Sequence, residues 1–134
     1  MRERRASHRP RRPAEPDRFE ALVEQALASI PEPFARALDE VAIVIEDTAS
    51  PQQLRDARVQ PYQTLYGLYE GVARTEYGAD WAFVPNKITL FQIPLEDDFP
   101  DPAGLEHQVR VTVIHELAHH LGISDRRLHE LGAY

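Results

Sequence analysis

The sequence contains no cysteine, and only one of its 134 residues is methionine and one is tryptophan. The absence of cysteine excludes a disulfide framework, a cysteine-ligated zinc finger, an iron–sulfur cluster and a thiol nucleophile. No apolar run approaches the roughly 18 residues that a transmembrane helix needs, and no apolar segment follows the arginine-rich start as it would in a signal peptide. We therefore expect a cytoplasmic protein with no membrane partner.

The net charge of −7 is unevenly distributed along the chain. Residues 1–18 contain seven arginines and three acidic residues, a net charge of +4, whereas residues 19–134 have a net charge of −11. Residues 1–16 have almost nothing to bury, so they are predicted to form a disordered arm, and residues 17–134 a single domain. The arm can make weak, salt-dependent contacts with phosphate groups. It lacks interleaved aromatic residues, so nucleic acid is not an expected partner, and the sequence leaves the oligomeric state open.

The spacing of apolar residues predicts an α+β fold, in which a helix and several strands precede one long helix. Helices are predicted from Asp17 to the break at Pro31, through Phe34 to Leu38, and at 52–57, 103–121 and 125–132. Strands are predicted at 41–45, 66–71 and 87–93, with a short strand or loop at 81–84. Pro94 is expected to close the strand at 87–93, and residues 95–102 to form an acidic loop. Gly122 is expected to end the long helix, and Ser124 to cap the last one.

The long helix contains the pattern H-E-x-x-H at His115, Glu116 and His119. At about 100° per residue, His119 lies roughly 40° around the helix from His115 and one turn along, so both imidazoles can share one metal ion. Glu116 flanks the two histidines without being forced to bind the metal. That position suits a general base acting on a metal-activated water.

The rest of this helix favours a buried site. Its polar stripe consists of Thr112, His115, Glu116, His119 and His120, and nearly every other position from 109 onward is apolar. A helix that is packed nearly all round, and whose polar stripe is made of metal-ligand residue types, is not typical of a surface helix.

A catalytic zinc site normally has three protein ligands and an open position. Gly122 permits the left-handed turn that lets the chain swing back after the helix. Asp125 is then the first side chain of ligand type and is our predicted third ligand. His129 and Glu130 are the competing candidates.

These residues resemble the zincin metallopeptidases, in the metzincin-like form H-E-x-x-H-x-x-G-x-x-H/D with Asp125 in the last position. A Leu-Tyr-Glu-Gly segment at 68–71, a strand like Ile-Thr-Leu-Phe at 88–91 and the C-terminal motif also make residues 34–134 similar to a family of small bacterial zincin-like metallopeptidases. The resemblance implies a minimal zincin fold, in which a small mixed sheet carries the active-site helix.

The resemblance also implies one zinc ion held by His115, His119 and Asp125, with Glu116 as the general base. In zincins an edge strand pairs with the extended substrate, and residues 87–93 are our candidate for that strand.

One departure from the family pattern concerns the Met-turn that metzincins place beneath the metal. The only methionine here is Met1, so the support beneath the metal would have to be built from other residues.

The predicted activity is therefore zinc-dependent hydrolysis of peptide bonds in a peptide or protein substrate. Two alternatives remain open: a metal-binding or regulatory protein without turnover, and a metal-dependent hydrolase of another substrate such as RNA. His120 and Tyr134 are candidates for a supporting role around the metal, His120 as a donor to the site or to a carboxylate and Tyr134 as an oxyanion donor.

Overall fold

The computed structural model describes residues 18–60, 63–71 and 86–131, and it has the α+β architecture that the sequence predicts. The helices are α1 (Arg18–Ala28), α2 (Phe34–Ala37), α3 (Pro51–Asp56), α4 (Gln92–Asp98), α5 (Pro102–Leu121) and α6 (Asp125–Glu130), with a 3-10 turn at Leu38–Glu40. The strands are β1 (Ala42–Glu46), β2 (Gly67–Glu70) and β3 (Lys87–Phe91). None of the helices in these described ranges is long and apolar enough to cross a membrane. The predictions for the arm at 1–16, for Asp17, for residues 81–84 and for Tyr134 lie outside the described residues.

The three strands form one mixed sheet in the order β1-β3-β2, in which β3 is parallel to β1 and antiparallel to β2. The expectation that residues 87–93 form an edge strand was therefore wrong, because β3 is the central strand. Four consecutive side chains of β3, residues 88–91, are fully buried. Since side chains alternate between the faces of a sheet, such a strand is covered on both faces, as a central strand is.

The segment after β3 also differs from the prediction. The strand ends at Phe91, and residues 92–98 form α4 where a strand end and an acidic loop were expected. Pro94 is the third residue of this helix, where its missing N–H costs nothing because first-turn N–H groups have no partner within the helix. The proline thus lies in the first turn of a helix and does not simply close a strand.

Two of the acidic side chains in this region have structural partners. Asp98 accepts a 2.6 Å hydrogen bond from the hydroxyl of Tyr66, which raises the pKa of Tyr66 to about 12. Asp101 caps α5 by accepting a 3.0 Å hydrogen bond from the Gly104 amide.

The hydrophobic core lies between one face of the sheet and the helices α1 and α5. α5 packs against α1, β2 and β3. The buried side chains at this junction are Phe19 and Val23 of α1, Ile88 and Leu90 of β3, and Val109, Val113 and Leu117 of α5. The core therefore packs α5 against the sheet, beside strand β2.

Gly67 lets β2 approach α5 more closely than a residue with a side chain would. A Cβ atom at this position would lie 2.6 Å from Cγ2 of Thr112 on α5 and 3.2 Å from the carbonyl oxygen of Thr89 on β3. Both distances are shorter than ordinary van der Waals contact. The glycine thus sets the distance between the edge strand and the long helix.

We expect Gly67→Ala to lower the free energy of unfolding by about 1–3 kcal/mol, the usual cost of adding a methyl group to a closed core. Urea denaturation measures this change. Gly104→Ala is the matched control, because a Cβ there meets its nearest atom at 3.7 Å and Ala is favoured over Gly in a helix. The control should be as stable as the wild type or more so. Equal stability of Gly67→Ala and the wild type would contradict the close packing inferred here.

Candidate metal centre

The end of α5 reverses the chain direction within a few residues. Gly122 adopts the left-handed conformation (φ 75°, ψ 23°), which ends the helix as the sequence predicts. The Ser124 side chain then caps α6 by accepting a 3.1 Å hydrogen bond from the Arg127 amide. Asp125 is the first residue of α6, and this turn returns it to the face of α5 that carries the two histidines.

His115, His119 and Asp125 form one cluster of potential metal ligands. Oδ1 of Asp125 lies 3.1 Å from Nε2 of His115 and 4.0 Å from Nε2 of His119. One ligand atom from each of the three residues lies within 4.8 Å of the others. The side chains are 32%, 47% and 67% exposed in sequence order, so the cluster opens to solvent on one side.

The donor set and its spacing fit a zinc ion. Zinc takes imidazole nitrogen and carboxylate oxygen at about 2.1 Å, which in a tetrahedral site places ligand atoms roughly 3.4 Å apart. The two distances to Asp125 Oδ1, 3.1 Å and 4.0 Å, lie on either side of that value. Three protein ligands at an exposed position also leave room for a fourth, exchangeable ligand, as catalytic zinc sites require.

Glu116 lies beside this cluster but is largely buried, with 8% of the residue exposed. Its Oε1 accepts a 2.9 Å hydrogen bond from the main-chain N–H of Tyr69 on β2 and lies 3.2 Å from Nδ1 of His119. Strand β2 therefore holds one carboxylate oxygen of Glu116 next to the candidate metal ligands.

The contact with Glu116 also affects His119. The hydrogen bond to Glu116 raises the pKa of His119, and attraction to the Glu116 and Asp125 carboxylates acts in the same direction, while partial burial opposes it. A protonated imidazole cannot bind a metal. A metal ion held by His119 would therefore compete with a proton for this ring and would bind more weakly as the pH falls.

Residues 38–133 match the sequence model of the zincin-like metallopeptidase family. The chain belongs to this family. A comparison with curated proteins found no match. Membership in the family supports a zinc-dependent peptidase, a hydrolase that acts on peptides.

The region that matches the zincin-like family model contains strands β1, β2 and β3 and helices α5 and α6. Helices α1 and α2 precede it. Helix α1 nevertheless packs directly against α5. The support of the candidate metal centre therefore extends beyond the matched region.

The other predicted site residues lie elsewhere. His120 is fully buried and contacts the Glu40 carboxylate and the Tyr69 hydroxyl, outside the group of potential ligands. Glu130 lies within 4.0 Å of the guanidinium groups of two arginines, Arg126 and Arg127. Tyr134 lies outside the described residues.

The polar stripe of α5 divides into two parts in this zincin-like structure. His115 and His119 face the open side with Asp125, whereas Thr112, Glu116 and His120 are buried. These three buried residues are spaced four apart, so they form one row along the helix. That row lies against β2: Gly67 approaches Thr112 closely, and Tyr69 contacts Glu116 and His120.

Sequence reasoning missed the parts played by Tyr69 and Glu40. Tyr69 looks like an ordinary packing aromatic in the sequence, and Glu40 like a surface charge before a strand. Their contacts with α5 join residues 47 to 80 positions apart, and no local pattern signals such pairs.

Proposed function

We propose that this zincin-like protein is a zinc-dependent endopeptidase in which Glu116 is the general base. The observation that carries the proposal is the convergence of three potential zinc ligands, His115, His119 and Asp125, beside a buried carboxylate. Acid–base chemistry at a metal site needs this combination of a metal position and a fixed proton acceptor.

The proposed roles follow from the contacts of each residue. His115, His119 and Asp125 would hold one zinc ion, which when bound polarises the scissile carbonyl and acidifies the attacking water. Glu116 takes a proton from the water and later delivers it to the leaving amine. The hydrogen bond from the Tyr69 amide to Oε1 keeps the Glu116 carboxylate oriented while it does so.

We assign the substrate-pairing edge to β2. The Phe91 amide of β3 donates to the Tyr66 carbonyl, and main-chain groups of an antiparallel strand alternate in direction, so those of Gly67 and Tyr69 point away from β3. The Tyr69 amide meets Glu116 on that side. Since that amide is taken by Glu116, an extended peptide would pair with the main-chain groups of Gly67 and with the Tyr69 carbonyl, which would place it beside the general base.

The full chain, supplied with one equivalent of zinc, should cleave an unfolded protein substrate and leave a structureless RNA intact. Mass spectrometry of the new peptide termini detects cleavage, and gel analysis follows the RNA. Removal of zinc by a chelator should abolish cleavage, and added zinc should restore it. Cleavage of the RNA would favour the alternative of a metal-dependent hydrolase that acts on RNA. Zinc binding without cleavage of either polymer would favour the non-catalytic, metal-binding alternative.

A further inference from the structure

His120 joins three segments of the chain that are distant in sequence. Its Nε2 forms a 2.7 Å hydrogen bond with Oε1 of Glu40, and its Nδ1 forms a 3.1 Å hydrogen bond with the Tyr69 hydroxyl. The same hydroxyl donates to Oδ1 of Asn86 over 3.0 Å. His120 has no exposed surface, and a buried polar ring is stable only with such partners.

Tyr69 contacts α5 at two points one helical turn apart. Its main-chain N–H binds Glu116, and its hydroxyl binds His120. Because these two helix residues are four positions apart, one tyrosine spans them with its backbone at one end and its hydroxyl at the other.

The side chain of Tyr69 therefore affects where its own backbone lies. β2 is only four residues long and is an edge strand of the sheet, so in the described part of the chain one strand, β3, supports it by main-chain pairing. A short edge strand that is paired on one side is readily displaced. The hydroxyl contact with His120 of α5, a helix packed against the core, opposes that displacement.

We propose that Tyr69, anchored by His120 and Glu40, is the positioning residue for the general base Glu116. This inference rests on the proposed function. The chain of contacts runs from the Glu40 carboxylate through the His120 ring to the Tyr69 hydroxyl, and from the Tyr69 amide to the Glu116 carboxylate. It holds the Glu116 carboxylate in the orientation needed for proton transfer.

Tyr69→Phe removes the hydroxyl and keeps the ring and the backbone. We expect kcat to fall by about 10- to 100-fold, the effect of a misplacement of up to about 1 Å in a catalytic group. Zinc content should match that of the wild type, because none of the proposed metal ligands is removed. A fall in zinc content that matches the fall in kcat would contradict a positioning role.

Tyr66→Phe is the matched control for this variant. Tyr66 immediately precedes the same strand, but its hydroxyl binds Asp98 of α4 instead of a residue of α5. Loss of that hydroxyl should leave kcat unchanged. An equal fall in kcat in both variants would mean that general loosening of β2 is responsible.

Two variants of His120 separate its two contacts. His120→Asn places a nitrogen near the position of Nδ1, so it can keep the Tyr69 contact, whereas His120→Gln places one near Nε2 and can keep the Glu40 contact. The Glu40 side chain is 40% exposed, so water can replace its lost partner. We expect the Asn variant to retain more kcat than the Gln variant, and the reverse order would contradict the proposal.

Hydrogen exchange of the residue 69 amide gives a readout that does not depend on activity. In Tyr69→Phe this amide should exchange at least about tenfold faster, since its hydrogen bond to Glu116 opens more often. The Phe91 amide, which donates to Tyr66 within the sheet, should change by less than about threefold. Unchanged exchange at residue 69, or equal acceleration at both amides, would overturn the proposal.

The measurements of kcat and of hydrogen exchange together separate failure of this inference from failure of the proposed function. If the wild-type protein does not hydrolyse peptides, the peptidase proposal fails, and the exchange measurement alone decides whether the Tyr69 side chain holds its amide on Glu116. If the wild type is active and Tyr69→Phe matches its kcat, only the positioning role fails.

Discussion

Glu116→Gln is expected to abolish peptide hydrolysis while the zinc content stays at the wild-type level. Glutamine has nearly the same shape as glutamate, and its amide oxygen can still accept the hydrogen bond from the Tyr69 amide that Oε1 accepts now. It cannot take a proton from water at neutral pH. Loss of general base catalysis costs about 10²- to 10⁴-fold in rate, so kcat should fall by at least that factor.

The measurement combines kcat with elemental analysis of the purified variant. Glu106→Gln serves as the control, because Glu106 lies on the same helix but pairs at 4.0 Å with Arg110 and lies outside the group of potential metal ligands. It should retain full activity. If Glu116→Gln kept activity within about threefold of the wild type, Glu116 would not be the general base.

His115→Ala is expected to remove zinc and, with it, all activity. The substitution leaves two of three protein ligands. Loss of a residue that merely supports a ligand already costs about 10- to 100-fold in metal affinity, so loss of a ligand should cost more than about 100-fold. Competition with a chromophoric chelator measures this change, and elemental analysis after dialysis gives the residual zinc.

His107→Ala is the matched control for the loss of a histidine. His107 lies on the same helix, is exposed, and contacts Arg110. Zinc affinity should be unchanged in this variant. A full zinc complement in His115→Ala would refute the assignment of His115 as a ligand.

The third ligand can be decided with a second pair of variants. Asp125→Asn should weaken zinc binding, because Oδ1 of Asp125 lies 3.1 Å from Nε2 of His115 and 4.0 Å from Nε2 of His119. Glu130→Gln should have no effect on zinc, since that carboxylate faces Arg126 and Arg127. The opposite pattern would assign the third ligand to Glu130.

Features that depend on local geometry were predictable from the sequence. The long helix and its end at Gly122 are confirmed, and Ser124 caps the last helix as predicted. The helix period alone places His115 and His119 on one face. Each of these features depends on residues within about one or two turns of each other, so the sequence pattern contains the necessary information.

The errors concern features that depend on distant partners. β3 was expected at an edge, but the order of strands is decided by pairing with β1 and β2, which a single strand's sequence does not specify. Pro94 was expected to end a strand and instead lies in the first turn of α4. A proline is compatible with both situations, and the tertiary structure selects one.

The sequence by itself therefore determined the α+β class, the long helix that carries His115 and His119, and the residue types of the candidate zinc site. Only the tertiary structure decided that Asp125 returns to the two histidines, that β2 is the strand beside Glu116, and that His120 turns inward to Tyr69 and Glu40. The contacts of Glu116 and His120 with Tyr69 and Glu40 span 47, 51 and 80 positions of the chain. The physical reason is that helix geometry is set by neighbours in sequence, whereas the partners of a buried polar side chain are set by how whole elements pack.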